Sequence, residues 1–312
     1  MSVLGLDTSN YTTSVAVFDG CSGQNVSRLL QVRPGELGLR QSDALFQHVK
    51  RLPELFSALA DAADLSQVQA VGASTRPRAV EGSYMPCFLA GASQGRCLAQ
   101  TLYVPFFEHS HQQGHLAAAA WSAGKLELLD KPFLAWHLSG GTTELLKVEP
   151  DGVRVQAEII GGTSDISAGQ LIDRAGVLLG LSFPAGKALD ELAGEMSENQ
   201  GYPVKLNKLT FSLSGMENKV RQLVTSGCPS REVAGFVLDT IASVVLRATR
   251  KAQEQWPGLP VLCSGGVASN RRLRQVMEQE CGALFAKPQY STDNAMGTAI
   301  LTWRAWQEGT VL

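Results

Sequence analysis

A short grammar written twice constrains this chain most. Val3-Leu4-Gly5-Leu6 reads as an apolar strand that runs into the polar turn Asp7-Thr8-Ser9. A second strand, Ser14 to Phe18, stops at Asp19-Gly20, a strong hairpin signal. Roughly half a chain later, Phe133 to Leu138 is again an apolar strand and Ser139-Gly140-Gly141-Thr142-Thr143 is the turn. Glu144 to Val148 then leads to Asp151-Gly152. The repetition implies two similar lobes. Between these landmarks, strands alternate with helices. Val68–Ser74, Leu102–Phe106, Val153–Ile160 and Pro260–Ser264 read as strands. Ser167–Leu179 and Asn270–Glu280 read as helices, and the clearest helix starts with Ser230 as its cap and ends on Arg247, Arg250 and Lys251. Such alternation predicts α/β lobes. The first is expected over 1–130 and the second over 131–293, with a last helix (294–312, begun at Asp293) able to pack back on the first lobe. A ligand is expected in a cleft between lobes.

The length of 312 residues accommodates two cores. A net charge of −2 provides no global basic field, so a nucleic-acid partner needs a local patch or a second subunit. Six scattered cysteines without a Cys-x-x-Cys pair suit a reducing compartment. No basic segment precedes the first strand, which argues against a signal peptide, and the apolar stretch Val233–Leu246 contains Asp239 and is too short for a bilayer. A cytoplasmic protein with no membrane partner is the expectation.

The most chemical motif is His111-Gln112-Gln113-Gly114-His115. Imidazoles at i and i+4 of a helix share one face and can share a metal ion. No Glu adjoins His111, so the zincin protease pattern is absent. Asp293 is the candidate third ligand, and a two-His, one-carboxylate set suits iron(II) or zinc. Ser139-Gly140-Gly141-Thr142 and Ser264-Gly265-Gly266-Val267 both follow apolar strands, where exposed amides and hydroxyls can cradle phosphate. Neither fits a P-loop or a dinucleotide fingerprint. Asp173, among Leu171, Ile172, Ala175 and Val177, is either a ribose acceptor or a solvated carboxylate. Arg271, Arg272 and Arg274 form a basic helix start that reads first as an exposed helical surface.

Taken together, these blocks resemble the TsaD (YgjD/Gcp) family of tRNA threonylcarbamoyladenosine transferases. The resemblance spans Val3 to Ala299 and rests on Gly5-Leu6-Asp7-Thr8-Ser9, the His111–Leu116 motif, Leu138–Gly141, Asp173–Leu181, Phe183–Gly186, Phe211–Gly215, Gly265–Arg271 and Thr292–Ala295. It implies an actin-like ATPase superfamily fold with two ribonuclease-H-like lobes and a central cleft. It further implies a metal on His111, His115 and Asp293. Leu138, Ser139, Gly140, Gly141 and Thr142 would lie at the phosphate and acyl end of the ligand, and Asp173, Gly186 and Asn270 on its adenosine. The implied ligands are one divalent iron or zinc ion and an adenine nucleotide or threonylcarbamoyl-adenylate. The implied reaction is threonylcarbamoyl transfer to tRNA, alongside a paralogous actin-like subunit and a small ATPase.

The chain departs from the family pattern where that pattern handles protons. Tyr11 and Thr12 stand where the family has two acidic residues, and Thr142 replaces the histidine of Ser-Gly-Gly-His. Gly169-Gln170 replaces Gly-Glu, and Ser74-Thr75-Arg76-Pro77-Arg78 replaces a Gly-Pro-Gly loop. No catalytic residue is assigned from the sequence. A non-transferring, nucleotide-binding paralogue is the alternative expectation. A metalloendopeptidase ranks below it, for want of a general base, and the His-x-x-x-His motif argues against a sugar or acyl kinase.

Overall fold

β1 (Ser2–Thr8) carries aliphatic side chains on both faces because both faces are covered, as its unbroken burial shows. It pairs antiparallel with β2 (Thr12–Phe18), which pairs antiparallel with β3 (Gly23–Leu29). Gly20, at φ +98°, makes the second turn. After α1 (Gln41–Ala62), β4 (Val68–Arg76) lies parallel to β1. α2 (Phe88–Leu102) then leads to β5 (Phe106–Ser110), parallel to β4, and to α3 (His111–Ser122). The resulting sheet has the order β3-β2-β1-β4-β5. Ala44, His48, Leu52, Leu55 and Leu59 form the buried stripe of α1, and the three leucines pack with Leu4, Leu6, Val15 and Val17. The computed structural model describes residues 1–9, 11–32, 39–194 and 201–309.

The same grammar opens the second sheet. β6 (Phe133–Leu138) pairs antiparallel with β7 (Thr143–Asp151), and β8 (Arg154–Thr163) lies beside β7 after Gly152, at φ +58°. The turn closes on Leu138 opposite Thr143, just as the first closes on Thr8 opposite Thr13. The following elements are α4 (Ala168–Leu178), α5 (Gly186–Ala193), β9 (Leu206–Asn207), β10 (Thr210–Phe211), α6 (Ser214–Thr225) and α7 (Ser230–Gln255). β11 (Val261–Ser264), α8 (Arg271–Cys281) and β12 (Leu284–Phe285) complete the order β12-β11-β6-β7-β8-β10-β9. Trp136 is fully buried here, and its indole N–H donates to Thr249 Oγ1 at 2.8 Å.

The chain divides into two units. One comprises Met1–Lys131, Glu149–Ala157 and Asp293–Leu312; the other comprises Pro132–Val148 and Glu158–Thr292. The last helix, α9 (Met296–Gln307), packs within the first unit against β1 and α3. Its approach to α3 is close enough that a methyl group on Gly297 would overlap the Gly114 carbonyl. Gly297→Ala is therefore expected to cost about 1–3 kcal/mol by overpacking. Gly215→Ala, with open space around its Cβ, should leave stability nearly unchanged. Denaturant melts of the two variants check the contrast.

Four sequence expectations are corrected. The apolar run Leu102–Phe106 is not a strand: α2 runs through Leu102, Tyr103 closes it in the left-handed region at φ +56°, and the strand starts at Phe106. Ser230 is the first helical residue of α7 rather than its cap, which is Pro229. Arg247, Arg250 and Lys251 lie inside α7, which continues to Gln255. Asp293 does not begin a helix; it precedes α9, and residues 310–312 of the expected last helix lie outside the described residues. Among the described residues no helix is long and apolar enough to cross a membrane.

Candidate metal centre and nucleotide cavity

The histidine motif folds as the opening turn of α3, and its other residues explain why it does. Ser110 caps the helix: its Oγ accepts from Gln113 N at 3.2 Å, and Ser110 N donates to Gln113 Oε1 at 2.9 Å, a reciprocal capping box. Gln113 also donates to Val155 O, and Gly114 leaves room for α9. Helical spacing then brings His111 and His115 together, with ring centroids 4.3 Å apart.

Asp293 arrives from the loop before α9. Its Oδ1 lies 3.2 Å from His115 Nε2 and 3.5 Å from His111 Nε2, and the two Nε2 atoms are 2.9 Å apart. One donor atom from each residue falls within 4.8 Å of the others. Two further residues brace the cluster. Asp7, at the end of β1, holds His111 Nδ1 at 2.8 Å through Oδ2 and accepts from Ser9 N at 3.1 Å through Oδ1. Ser9 Oγ donates to Asp293 Oδ2 at 3.0 Å.

This geometry decides a tautomer. With the Nδ1 proton of His111 donated to Asp7, Nε2 is left with its lone pair pointed at the convergence point. Two facing Nε2 lone pairs repel, so that point must hold a proton or a cation. Burial opposes an imidazolium at His111, but Asp7 and Asp293 outweigh burial and push its pKa up to about 10. Burial likewise opposes the charge of Asp293, yet His111 and His115 hold its carboxyl well below the usual range. Two imidazole nitrogens and one carboxylate oxygen, with His111 braced by Asp7 and Asp293 by Ser9, fit a divalent ion such as iron(II) or zinc.

The second unit contains a separate cavity of about 420 Å3. It gathers four residues expected on sequence grounds: Gly140 from the β6–β7 turn, Asp173 from α4, Gly186 from the start of α5, and Asn270. Asp173 Oδ1 accepts from Ala185 N at 2.8 Å. Asn270 is more committed than its sequence suggested. Its Oδ1 caps α8 by accepting from Leu273 N at 2.9 Å, and its Nδ2 donates to Asp190 Oδ1 at 2.5 Å. Asp190, which the sequence did not single out, also lines the cavity and accepts from Arg271 Nε at 2.8 Å. Arg271 is thus partly spent inside the unit rather than being a free surface cation.

A Cβ on Gly140 or Gly266 would meet no atom within 4 Å, so both glycines leave their backbone open to a ligand. The other turn residues do not line this cavity. Leu138 is wholly buried, Gly141 is exposed, and Ser139 and Thr142 close the turn on each other, with Thr142 N donating to Ser139 Oγ at 3.1 Å.

The two sheets define a protein of the actin-like ATPase fold, and its histidine–carboxylate cluster could hold a metal ion. Solved structures of low identity share that fold. Full-length HypF in its phosphate- and nucleotide-bound form superposes with a TM-score of 0.60 at 14% identity, over 99% of this chain and 56% of that one. Component A of (R)-2-hydroxyglutaryl-CoA dehydratase from Acidaminococcus fermentans gives 0.55 at 14% identity, over 97% and 98%. The profile of the TsaD family, tRNA N6-adenosine threonylcarbamoyltransferase, matches residues 33–300, and the chain belongs to that family. It is 34% identical to a tRNA N6-adenosine threonylcarbamoyltransferase of Thermus thermophilus, over 99% of this chain and 94% of the relative. The corresponding protein of Aromatoleum aromaticum is 31% identical over 94% and 88%. The family is one of acyltransferases that modify tRNA.

Proposed function

We propose that this chain moves threonylcarbamoyl from threonylcarbamoyl-adenylate to N6 of the adenosine beside the anticodon in tRNA. The amino nitrogen attacks the carbamoyl carbon, the bond from that carbon to the phosphate oxygen breaks, AMP leaves, and the amine loses a proton. The convergence of His111 Nε2, His115 Nε2 and Asp293 Oδ1 carries this reading, because it supplies a metal site and no Glu adjoins either histidine as a peptidase motif would need. A divalent iron or zinc ion bound there supplies Lewis-acid polarisation of an acyl oxygen. Asp7 keeps the His111 lone pair aimed inward. In the cavity of the second unit, Asp173 takes a ribose hydroxyl, Asn270 is held in place by Asp190, and Gly140 and Gly186 admit the adenylate against the backbone. Leu138 to Thr142 supply backbone amides and hydroxyls near the phosphate and acyl end.

The protein works in the cytoplasm, with a paralogous actin-like subunit and a small ATPase; its net charge of −2 supports sharing the tRNA surface with a partner. The competing reading is a nucleotide-binding paralogue that does not transfer, and the presence of Tyr11, Thr12 and Thr142 favours it. Reconstitution separates the two. Given threonylcarbamoyl-adenylate, tRNA and the partner proteins, the chain should yield threonylcarbamoyladenosine by mass spectrometry. Asp173→Ala should remove binding of a stable adenylate analogue by calorimetry while leaving metal content intact. Nucleotide binding with no modified nucleoside would establish the paralogue instead.

A further inference from the structure

The first unit contains a second concentration of charge that the histidine cluster does not use. A cavity of about 630 Å3 lies against β5, the edge strand of the five-stranded sheet. Its wall holds Arg76 at the end of β4, Arg96 on α2, Arg154 at the start of β8, and Glu108 of β5. Arg96 is paired with Glu108. The other two arginines have no such partner: Nε of Arg76 and Nε of Arg154 are both buried without a hydrogen-bond acceptor among the described residues.

Their charges are felt nearby. Burial and the neighbouring Arg76 oppose the charge of Arg154, against the pull of Asp151 and Glu108. Two buried guanidinium N–H groups lacking acceptors, on like charges that repel, are costly unless an anion joins them.

We propose that this cavity is a phosphate-binding site in which Arg76 and Arg154 grip the terminal phosphate of a small phosphorylated ligand. Guanidinium forks match phosphate oxygens in pairs. The volume exceeds what a single phosphate needs and falls within the range of small-molecule sites, which favours a pyrophosphate- or nucleotide-sized ligand over a lone ion. The site is distinct from the Asp173 cavity and does not depend on the transferase reading.

Calorimetry on the full-length protein, in chloride buffer free of phosphate and sulfate, tests this with inorganic pyrophosphate, ADP and tRNA in separate titrations. Pyrophosphate should bind saturably, and ADP should bind at a site that survives Asp173→Ala. Arg76→Gln and Arg154→Ala should each weaken pyrophosphate by about tenfold or more, with melting curves confirming that both variants fold. Arg154→Lys should recover little, because an ammonium lacks the fork. If only pyrophosphate meets these conditions, the ligand is a free polyphosphate; if ADP does too, it is a nucleotide. Absence of both from wild type, or binding unaffected by either arginine variant, overturns the site. Arginine-dependent binding of tRNA alone overturns the small-ligand assignment in favour of a backbone phosphate.

Discussion

His111→Ala and Asp293→Ala are each expected to release the metal and to stop transfer, because either change leaves two ligands where three converge. Purified protein should carry about one equivalent of iron or zinc, as a three-ligand set of this composition implies. Asp7→Asn is the more discriminating variant. It keeps all three ligands but replaces the carboxylate that fixes the His111 tautomer, and should weaken metal affinity by about 10–100-fold. Elemental analysis and chelator competition measure both effects; unchanged metal in His111→Ala and Asp293→Ala would remove the site.

The same geometry sets a pH dependence. A metal must displace the proton that Asp7 and Asp293 hold on His111 up to a pKa of about 10. Apparent affinity should therefore rise with pH below that value, by about tenfold per unit for one proton released. In the metal-free protein the sign reverses. The raised His111 pKa contributes stability that is fully present below the ordinary histidine value and lost as pH climbs towards 10. Asp7 and Asp293, both held low, contribute stability above the ordinary carboxylate range, and it is lost in acid. Metal-free protein should thus melt progressively lower from neutral pH to about 10, and loaded protein should not.

Restoring proton-handling groups should produce the other large change. General acid–base groups contribute about 10²–10⁴-fold in rate, and a threonine hydroxyl cannot supply that at neutral pH. Thr142→His is the readier of two restorations: Thr142 is half-buried on the β6–β7 turn, where an imidazole has space and solvent. Thr12 is 6% exposed on β2, so Thr12→Glu must bury a carboxylate, and its melting temperature has to be followed beside its rate. A faster single-turnover rate in Thr142→His, greater still with Thr12→Glu, would show that lost proton transfer limits the natural chain. An unchanged rate in both would place the limit elsewhere.

Much of the architecture was legible because it repeats: strand, polar turn, strand and Asp-Gly recur, and the structure pairs both copies alike. The histidine motif was equally plain, since helical spacing alone puts His111 and His115 on one face. Elements without an apolar signature were lost. β3 contains Gln24, Asn25, Ser27 and Arg28, and its outer residues are mostly exposed, so neither hydrophobic run nor alternation marked it. Leu102–Phe106 misled because a helix end and a strand start lie together there. Asp7 and Asp190 escaped for another reason: their partners are 104 and 80 residues away, and nothing local in either carboxylate announces a distant imidazole or amide. Arg76 and Arg154 likewise come to line one cavity only in the folded chain, from strands of different sheets.

The candidate ligand triad draws on α3 and on the loop before α9, and His115 and Asp293 are 178 positions apart in the chain. During synthesis, the histidine turn is therefore complete long before its carboxylate exists. A nascent or truncated chain that stops between residues 115 and 293 has Asp7 and both imidazoles but lacks the third donor, and it also lacks the helix whose Gly297 seats against Gly114. On the proposed metal site, unfinished polypeptides lack the full ligand set, and metal retention during purification should double as a readout of whether the closing segment has docked.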